Sequence, residues 1–175
     1  MHTHQPQQQA ASQAPLYTAE ERRRRDASAW TLVQGVLAPV QFLAFLISLA
    51  LVLRYLSTGA GLEAATVSVV IKTLLLYAIM ITGSIWEKEV FGVWLFARPF
   101  FWEDVFSFAV LALHTAYLIA LAIDALDARS LMWLALAAYF TYVINAGQFV
   151  LKLRAARLRH AEPSVLANDA LAACK

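Results

Sequence analysis

Residues 83–108 read GSIWEKEVFGVWLFARPFFWEDVFSF and contain two similar motifs whose tryptophans lie 16 positions apart. The first cassette is Trp86-Glu87-Lys88-Glu89-Val90-Phe91, and the second cassette is Trp102-Glu103-Asp104-Val105-Phe106. The stretch holds nine of the 21 aromatic residues and four of the 12 acidic residues. Both cassettes place carboxylates beside a tryptophan at the end of an apolar segment, so the stretch marks where apolar segments reach a surface.

The acids of the cassettes allow two interpretations. A carboxylate pressed against aromatic rings near a membrane surface is poorly hydrated, which favours its protonated form and lets it deliver a proton near neutral pH. The alternative is an aromatic belt that contains ordinary interfacial acids. Acids at membrane depth are costly unless they have a use, and this favours a site for the stretch as a whole.

The composition indicates an integral membrane protein. Of the 175 residues, 61% are hydrophobic and 15% are charged, and the mean hydropathy is +0.60. Three runs carry no charged residue and a fourth is interrupted by Lys72 alone: residues 27–53, 105–123, 130–151 and 64–86. Each run can cross a hydrocarbon core of about 30 Å as a helix.

These runs predict an all-α fold, an integral membrane four-helix bundle with an aromatic-rich interfacial connector between helices 2 and 3. We expect a disordered arm at 1–15, a juxtamembrane helix at 16–29, a membrane domain at 30–158 and a flexible tail at 159–175. The spans are predicted at about 30–56, 64–86, 104–126 and 130–151. Thr18 and Glu21 have the spacing of a capping box, which would begin the juxtamembrane helix.

The lysines and arginines predict the orientation. In a four-span arrangement most of them fall on the side of the termini and the cassettes, whereas Arg54, Arg129 and the embedded Lys72 fall on the other. Because cytoplasmic segments are enriched in Lys and Arg, we expect both termini and the cassettes in the cytoplasm. The arginines are interpreted as membrane anchors, and no nucleic-acid partner is predicted.

The segment between the cassettes, Val90 to Phe101, is named the connector here. Its 12 residues are too few to recross the membrane as an upright helix, so we expect it to lie in the interface, where it can form the floor of a pocket. Lys72 is expected near the outer end of the second span, where its amine either reaches outward or pairs with Asp124.

Polar side chains within the spans predict a cluster on the cytoplasmic side. Gln34 shares a stripe of the first span with Gln41, and Asn145 and Gln148 share a stripe of the fourth. Exposure of amides to lipid is costly, so these stripes are expected to face other helices or a bound ligand. His114 is the one histidine in a predicted span, and such a residue is more often hydrogen-bonded in the core than a ligand.

Several chemistries are excluded. The sequence has no Gly-rich phosphate loop, no paired-cysteine metal site, no histidine pair at helical spacing and no serine nucleophile in a recognisable turn. No metal site is predicted. Acid–base chemistry by carboxylates, or binding alone, remains.

Five segments resemble the 3-vinyl bacteriochlorophyllide hydratase family: Tyr17-Thr18, Arg25 to Gly35, Ile85 to Gly92, Phe101 to Ser107 and Tyr142 to Phe149. The resemblance implies a hydro-lyase that adds water to the 3-vinyl group of chlorophyllide or a related tetrapyrrole, giving a 1-hydroxyethyl group, during bacteriochlorophyll synthesis in photosynthetic bacteria. It also implies the bacterial inner membrane as location, a tetrapyrrole, the lipid bilayer and other pigment-biosynthesis enzymes as partners, and no cofactor besides the magnesium of the substrate.

The resemblance assigns no catalytic residue, so roles come from the chemistry. Protonation of the terminal vinyl carbon gives a cation that the macrocycle delocalises, and water then adds to the inner carbon. We predict that Glu87 or Glu103 is the acid and that Glu89 or Asp104 orients the water.

Other residues are predicted to bind the tetrapyrrole through ring stacking, through an ion pair between Arg98 or Lys88 and its propionate, or through an approach of His114 or Asn145 to its magnesium. The predicted binding residues are Trp86, Trp94, Arg98, Trp102, His114, Gln34, Asn145 and Gln148.

Two other functions compete with hydration. A non-catalytic tetrapyrrole carrier or assembly factor would use the same pocket without forming product. A small four-helix transporter would need a charged residue central to the bilayer, and Lys72 comes nearest to one.

Overall fold

The helices follow the apolar runs of the sequence. The computed structural model describes the backbone of residues 16–173 and the side chains of residues 16–155. It contains five helices in chain order: α1 Ala19–Ala27, α2 Ala29–Thr58, α3 Leu62–Phe91, α4 Phe101–Ala122 and α5 Ala128–Ala173. The described part of the chain is all-α.

Four segments are long and apolar enough to cross a membrane: Ala29–Thr58, Leu62–Phe91, Phe101–Ala122 and Ala128–Ala155. Large apolar side chains such as Leu32, Ile81 and Phe140 are exposed around the bundle, as expected of a surface that faces lipid. The predicted membrane four-helix bundle is confirmed, and the protein is a multi-pass membrane protein.

α1 begins at the predicted capping box. Thr18 Oγ1 accepts from Glu21 N at 3.2 Å, and Glu21 Oε2 accepts from Thr18 N at 2.7 Å. Ser28 has extended backbone between α1 and α2, and its hydroxyl oxygen accepts from Trp30 N at 3.2 Å. The chain therefore breaks one helix and starts the next at a single residue.

The bundle consists of two helical hairpins. α2 packs most extensively on α3 and α4 on α5, whereas α3 and α4 contact each other less. The turn of the first hairpin contains Gly59 and Gly61, whose φ values of 73° and 87° would strain a residue with a side chain. Residues from all four helices, among them Phe45, Val69 and Tyr117, form one apolar core.

Lys72 lies inside this core, and both predictions for it are wrong. Its side chain is fully buried, and Nζ lies 2.6 Å from Nε2 of His114. An outward reach fails because Lys72 lies ten residues into α3, about 15 Å from its start. A pair with Asp124 fails because α4 ends at Ala122 and Asp124 lies in the exposed turn beyond it.

Two helix boundaries extend past the predicted spans. α3 continues through the first cassette to Phe91. α5 continues to Ala173. The flexible tail expected at 159–175 stays a prediction. The predicted arm at 1–15 lies outside the described residues.

Candidate active site

The two cassettes meet at the end of the bundle where α3 ends and α4 begins. Glu87 lies near the end of α3, and Asp104 lies in the first turn of α4. Gly92 ends α3 with a φ of 80°, a conformation that glycine adopts readily. Residues 92–100 of the connector then lead to α4 without forming a helix.

Glu87 and Asp104, named the carboxyl pair here, contact each other. Their carboxyl groups lie within hydrogen-bonding reach of one another, and each residue is only 5% exposed. A hydrogen bond between two carboxyl groups requires a proton on one of them, and two adjacent carboxylates shielded from water repel each other. The contact therefore favours a state in which the two carboxyl groups share a proton.

Backbone N–H groups of the connector complete the carboxyl pair. Ala97 N donates to Glu87 Oε2 at 3.1 Å, and Phe96 N donates to Asp104 Oδ2 at 2.8 Å. Phe96 has a φ of 60°, a left-handed conformation that costs a residue with a side chain about 1–2 kcal/mol. The connector is thus held in a strained shape that aims two donors at the carboxyl pair, and such strain concentrates at functional sites.

Glu103 has a different partner. Its Oε2 lies 2.6 Å from Nζ of Lys152 on α5, and the same amine donates to the carbonyl oxygen of Pro99. Glu103 is buried, whereas Lys152 is partly exposed. Glu103 thus has a cationic partner, which neither member of the carboxyl pair has as a direct contact among the described residues.

Glu89 is exposed and lies against the junction of α1 and α2. Its Oε2 accepts from the Ser28 hydroxyl at 2.6 Å. Since Ser28 also caps α2, this bond ties the start of α2 to the end of α3. The structure therefore brings Glu87, Glu103 and Asp104 together and gives Glu89 a separate position.

Trp86 packs inward. Its Nε1 donates to Thr31 Oγ1 at 2.9 Å, and its ring meets Phe91 and Phe100 edge-on, with ring centroids 5.7 and 5.8 Å apart. Tyr17 is buried and stacks on Phe91 at 5.7 Å. These rings dock the segment before α1 and fix the end of the connector.

Trp94 and Trp102 point outward and are 60% and 66% exposed. Together with Phe96, Phe101 and Phe108 they form a group of exposed rings beside the connector, named the aromatic surface here. The Phe96 ring stacks on Phe108 with a centroid distance of 5.5 Å and is tilted against Phe101 at 5.7 Å. Arg98 is exposed on the same connector.

Two of the predicted amides bond to neighbouring helices. Gln34 Nε2 donates to Thr82 Oγ1 at 2.7 Å. Asn145 Nδ2 donates to Ser107 Oγ at 2.8 Å, about one turn along α4 from Asp104. Asn145 is therefore close to the carboxyl pair.

Gln148 and His114, the other two predicted polar residues, lie at different depths in the bundle. Gln148 is half-buried, and its Oε1 has no hydrogen-bond partner among the described residues. His114 lies ten residues along α4 from Asp104, about 15 Å away along the axis. Its Nδ1 bonds to Val110 O and its Nε2 to Lys72, so both ring nitrogens already have partners.

Several partners of these residues could not be recognised as such from sequence spacing. The folded structure identifies Ser107, Thr31 and Ser28 as contacts of Asn145, Trp86 and Glu89. Lys152 does have a signal, because it shares a helical stripe with Asn145 and Gln148 at spacings of three, four and seven residues.

The contact between Glu87 and Asp104 limits where a macrocycle can lie. These side chains leave no room for a ring between their carboxyl groups, so a flat ligand of that size could lie only outside the carboxyl pair. A cavity of about 310 Å³ lies at the other end of the bundle, lined by Tyr55, Leu56, Ser57, Thr58, Gly59 and Arg129. It is remote from the cassettes.

The comparisons with known proteins agree on one family. The model of a family described as 2-vinyl bacteriochlorophyllide hydratase matches residues 17–155. A relative named 2-vinyl bacteriochlorophyllide hydratase, from Rhodobacter capsulatus, is 67% identical over 87% of this chain and 89% of its own length. A relative of the same name from Cereibacter sphaeroides is 66% identical over 88% of this chain and 96% of its own. No solved structure matches the chain. From the extent of these matches, the chain belongs to the 2-vinyl bacteriochlorophyllide hydratase family.

Proposed function

We propose that the carboxyl pair supplies the proton that starts the hydration of a vinyl group. The family gives the overall reaction, which adds water to the vinyl group of a bacteriochlorophyllide-type tetrapyrrole and makes the chain a hydro-lyase of bacteriochlorophyll biosynthesis. The family's description names a 2-vinyl group and the sequence analysis a 3-vinyl group, and both are vinyl substituents of the macrocycle.

The observation that supports the assignment is the contact between Glu87 and Asp104 across the two cassettes. A carbon–carbon double bond is a weak base, so its protonation needs an acid that still carries its proton near neutral pH. Burial and mutual contact keep a proton on the carboxyl pair, whereas Glu103 is paired with an ammonium group and Glu89 is exposed.

The proposed reaction has two steps. The shared proton of the carboxyl pair moves to the terminal carbon of the vinyl group, whose π electrons form the new C–H bond and leave a cation on the inner carbon. The oxygen of a water molecule bonds to that carbon, and one water proton returns to the carboxyl pair. The product carries a 1-hydroxyethyl group, and the enzyme recovers its starting protonation.

Nearby groups stabilise the carboxyl pair between these steps. After the first step the carboxyl pair carries two negative charges. Ala97 N and Phe96 N already donate to it, and Lys152 acts electrostatically on Asp104. These donors are in place before the reaction, which is the arrangement that stabilises developing charge most effectively.

We propose that the macrocycle lies against the aromatic surface while the vinyl group alone reaches the carboxyl pair past the connector. Exposed rings offer faces on which a flat conjugated ligand can stack, and Trp94 and Trp102 are the most exposed of them. Exposed Arg98 and Lys88 are near enough in sequence to this surface to pair with a propionate. In this arrangement Trp86, Gln34 and Gln148 would support the cassettes from the side away from the macrocycle. Asn145 would support them from inside the bundle.

The location and the cofactor requirement are also proposals. The distribution of Lys and Arg supports a bacterial inner membrane protein whose termini and cassettes face the cytoplasm. We propose that water is the co-substrate, that the enzyme needs no cofactor of its own, and that the magnesium belongs to the tetrapyrrole.

The test compares amide variants of the acids in the full chain, purified in lipid nanodiscs with a 3-vinyl chlorophyllide. Glu87→Gln and Asp104→Asn should each reduce product formation, detected as a mass gain of one water, by at least about 100-fold, the usual size of a general acid's contribution. Glu63→Gln is the matched control, because Glu63 is an exposed acid at the far end of α3. Its activity should equal that of the unmodified protein.

Pigment binding is measured on the same samples. Both variants should still bind the pigment, with a shifted absorption spectrum. Full activity in folded Glu87→Gln and Asp104→Asn proteins would disprove the assignment, and stoichiometric binding without product by the unmodified chain would indicate a carrier instead.

A further inference from the structure

We propose that Gln41 on α2 and Asn145 on α5 bind water inside the bundle and supply it to the carboxyl pair. This inference rests on the proposed function, since it concerns the source of the water that adds to the vinyl group. It assigns a hydration site to the interior of the membrane domain, on the inner side of the carboxyl pair.

Gln41 is a buried amide whose polar atoms lack partners. The residue is 2% exposed, and neither Nε2 nor Oε1 has a hydrogen-bond partner among the described residues. Burial of an amide without hydrogen bonds is costly. A glutamine in this state within a membrane helix needs a partner other than the described side chains.

Asn145, on the facing helix α5, also has a polar atom that lacks a partner among the described residues. The residue is 9% exposed; its Nδ2 donates to Ser107, whereas its Oδ1 has no partner among the described residues. Gln41 and Asn145 together offer one donor group and two acceptor oxygens. A buried water typically makes about three hydrogen bonds, so this set matches what one or two waters require.

The two amides lie at a similar depth. Gln41 is about one turn before Phe45 on α2, Asn145 is nearly one turn after Tyr142 on α5, and the rings of Phe45 and Tyr142 are in contact at 5.0 Å. The bonds Ser48–Tyr139 and the Phe45–Tyr142 contact show that α2 and α5 run in opposite directions. Both amides therefore lie on the cassette side of that ring contact.

Asn145 also links the level of the two amides in the bundle to the carboxyl pair. Its partner Ser107 lies three residues after Asp104, about one turn of α4. A macrocycle on the aromatic surface would cover the outer side of the carboxyl pair and exclude bulk water from it. Water held at Gln41 and Asn145 can still approach from the interior.

The test measures water contact directly. The full chain, with ¹⁵N-labelled glutamine and asparagine side chains, is placed in nanodiscs, and magnetisation transfer from water to each side-chain NH₂ group is recorded. The Gln41 and Asn145 signals are assigned by their loss in Gln41→Met and Asn145→Val. The expected result is transfer from water to both amides in the unmodified protein.

A kinetic measurement tests the supply of water. Gln41→Met should lower kcat about tenfold, with the KM for pigment unchanged, because it removes polar contacts to water and no contact to pigment. Ser48→Ala is the matched control: Ser48 is a buried polar residue two turns along α2 whose hydroxyl bonds to Tyr139 and Ser68. Its kcat should be unchanged even if its Tm falls.

The outcomes separate this inference from the proposed function. Absence of magnetisation transfer to Gln41 would overturn the hydration site, as would a direct Gln41–Asn145 hydrogen bond seen as a through-bond coupling. Transfer from water to Gln41 in the unmodified protein, together with an unchanged kcat in folded Gln41→Met, would overturn the supply role. Neither result bears on Glu87→Gln and Asp104→Asn, whose activities test the carboxyl pair alone.

Discussion

Lys152 Nζ lies 2.6 Å from Glu103 Oε2, and this ion pair ties α5 to the second cassette. The same amine donates to the carbonyl oxygen of Pro99, so it also holds the end of the connector. Its position next to the carboxyl pair makes it a structural support for the connector and a source of positive charge for Asp104.

Removal of this ammonium should cost more than removal of the whole ion pair. Lys152→Met leaves a buried carboxylate without a counter-charge, so we expect the free energy of unfolding to fall by roughly 3 kcal/mol. The double variant Glu103→Gln/Lys152→Met should recover part of this loss. Unfolding in detergent, followed by circular dichroism, gives the double-mutant cycle, and strictly additive losses would show that the two residues are not coupled.

The aromatic surface should affect pigment affinity without affecting stability. Trp102→Ala removes a largely exposed ring, so we expect an unchanged Tm and a KM for pigment raised by about tenfold, the value of one good aromatic contact. Trp133→Ala is the matched control, because Trp133 is similarly exposed but lies near the start of α5, at the end of the bundle away from the cassettes. An equal KM change in both variants would count against the aromatic surface.

Tyr17 should make stability depend on alkaline pH. Burial raises the pKa of Tyr17 above its ordinary value of 10.0, although the Arg25 guanidinium 4.8 Å from the ring centroid acts in the opposite direction. The folded state therefore favours the neutral phenol. Its stabilising contribution is complete below pH 10 and is lost as the pH rises through the raised pKa.

Tyr17→Phe keeps the ring and removes the titration. The Tm of the unmodified protein should fall relative to that of Tyr17→Phe as the pH rises above 10, and the two should stay parallel below pH 10. Parallel curves over the whole range would show that Tyr17 does not titrate differently in the folded state.

Variants of the buried Lys72–His114 contact should distinguish the effect of removing the amine from the effect of losing packing. Lys72→Met replaces a buried amine by an apolar chain of similar length, so we expect an unchanged or higher Tm. His114→Ala leaves that amine without its ring partner and opens a cavity, so the free energy of unfolding should fall by roughly 2–4 kcal/mol. Thermal unfolding of both variants gives the comparison.

The same variants test whether His114 approaches the substrate magnesium. Because its ring nitrogens bond to Lys72 and Val110, we expect the pigment affinity of folded His114→Ala to be unchanged. Weaker pigment binding by this variant, with Lys72→Met unaffected, would support the approach to magnesium instead.

The sequence predicted the bundle well because apolar run length is a strong signal. The four spans and the capping box at Thr18 and Glu21 follow from local pattern, and the structure contains them. The cassettes were predicted to form a site because acids beside tryptophans at membrane depth are rare. Their catalytic and binding roles stay predictions.

Pairing within the site was not predictable from local pattern. Nothing in the spacing shows that Glu87 contacts Asp104 rather than its neighbour Glu89, because that depends on how the connector folds back. The left-handed backbone of Phe96, which aims the connector's N–H groups, has no signal such as a glycine at that position. Lys72 was misplaced for a similar reason, since its partner His114 lies 42 positions away on another helix.

The division into two hairpins has a consequence for when the enzyme can act. Glu87 belongs to the first hairpin and Asp104 to the second, so a half-inserted chain emerging from the ribosome contains Glu87 without Asp104. The proposed proton donor therefore forms only when the halves dock. If the proposal holds, a nascent or partly assembled molecule does not hydrate pigment, and completion of folding creates the activity.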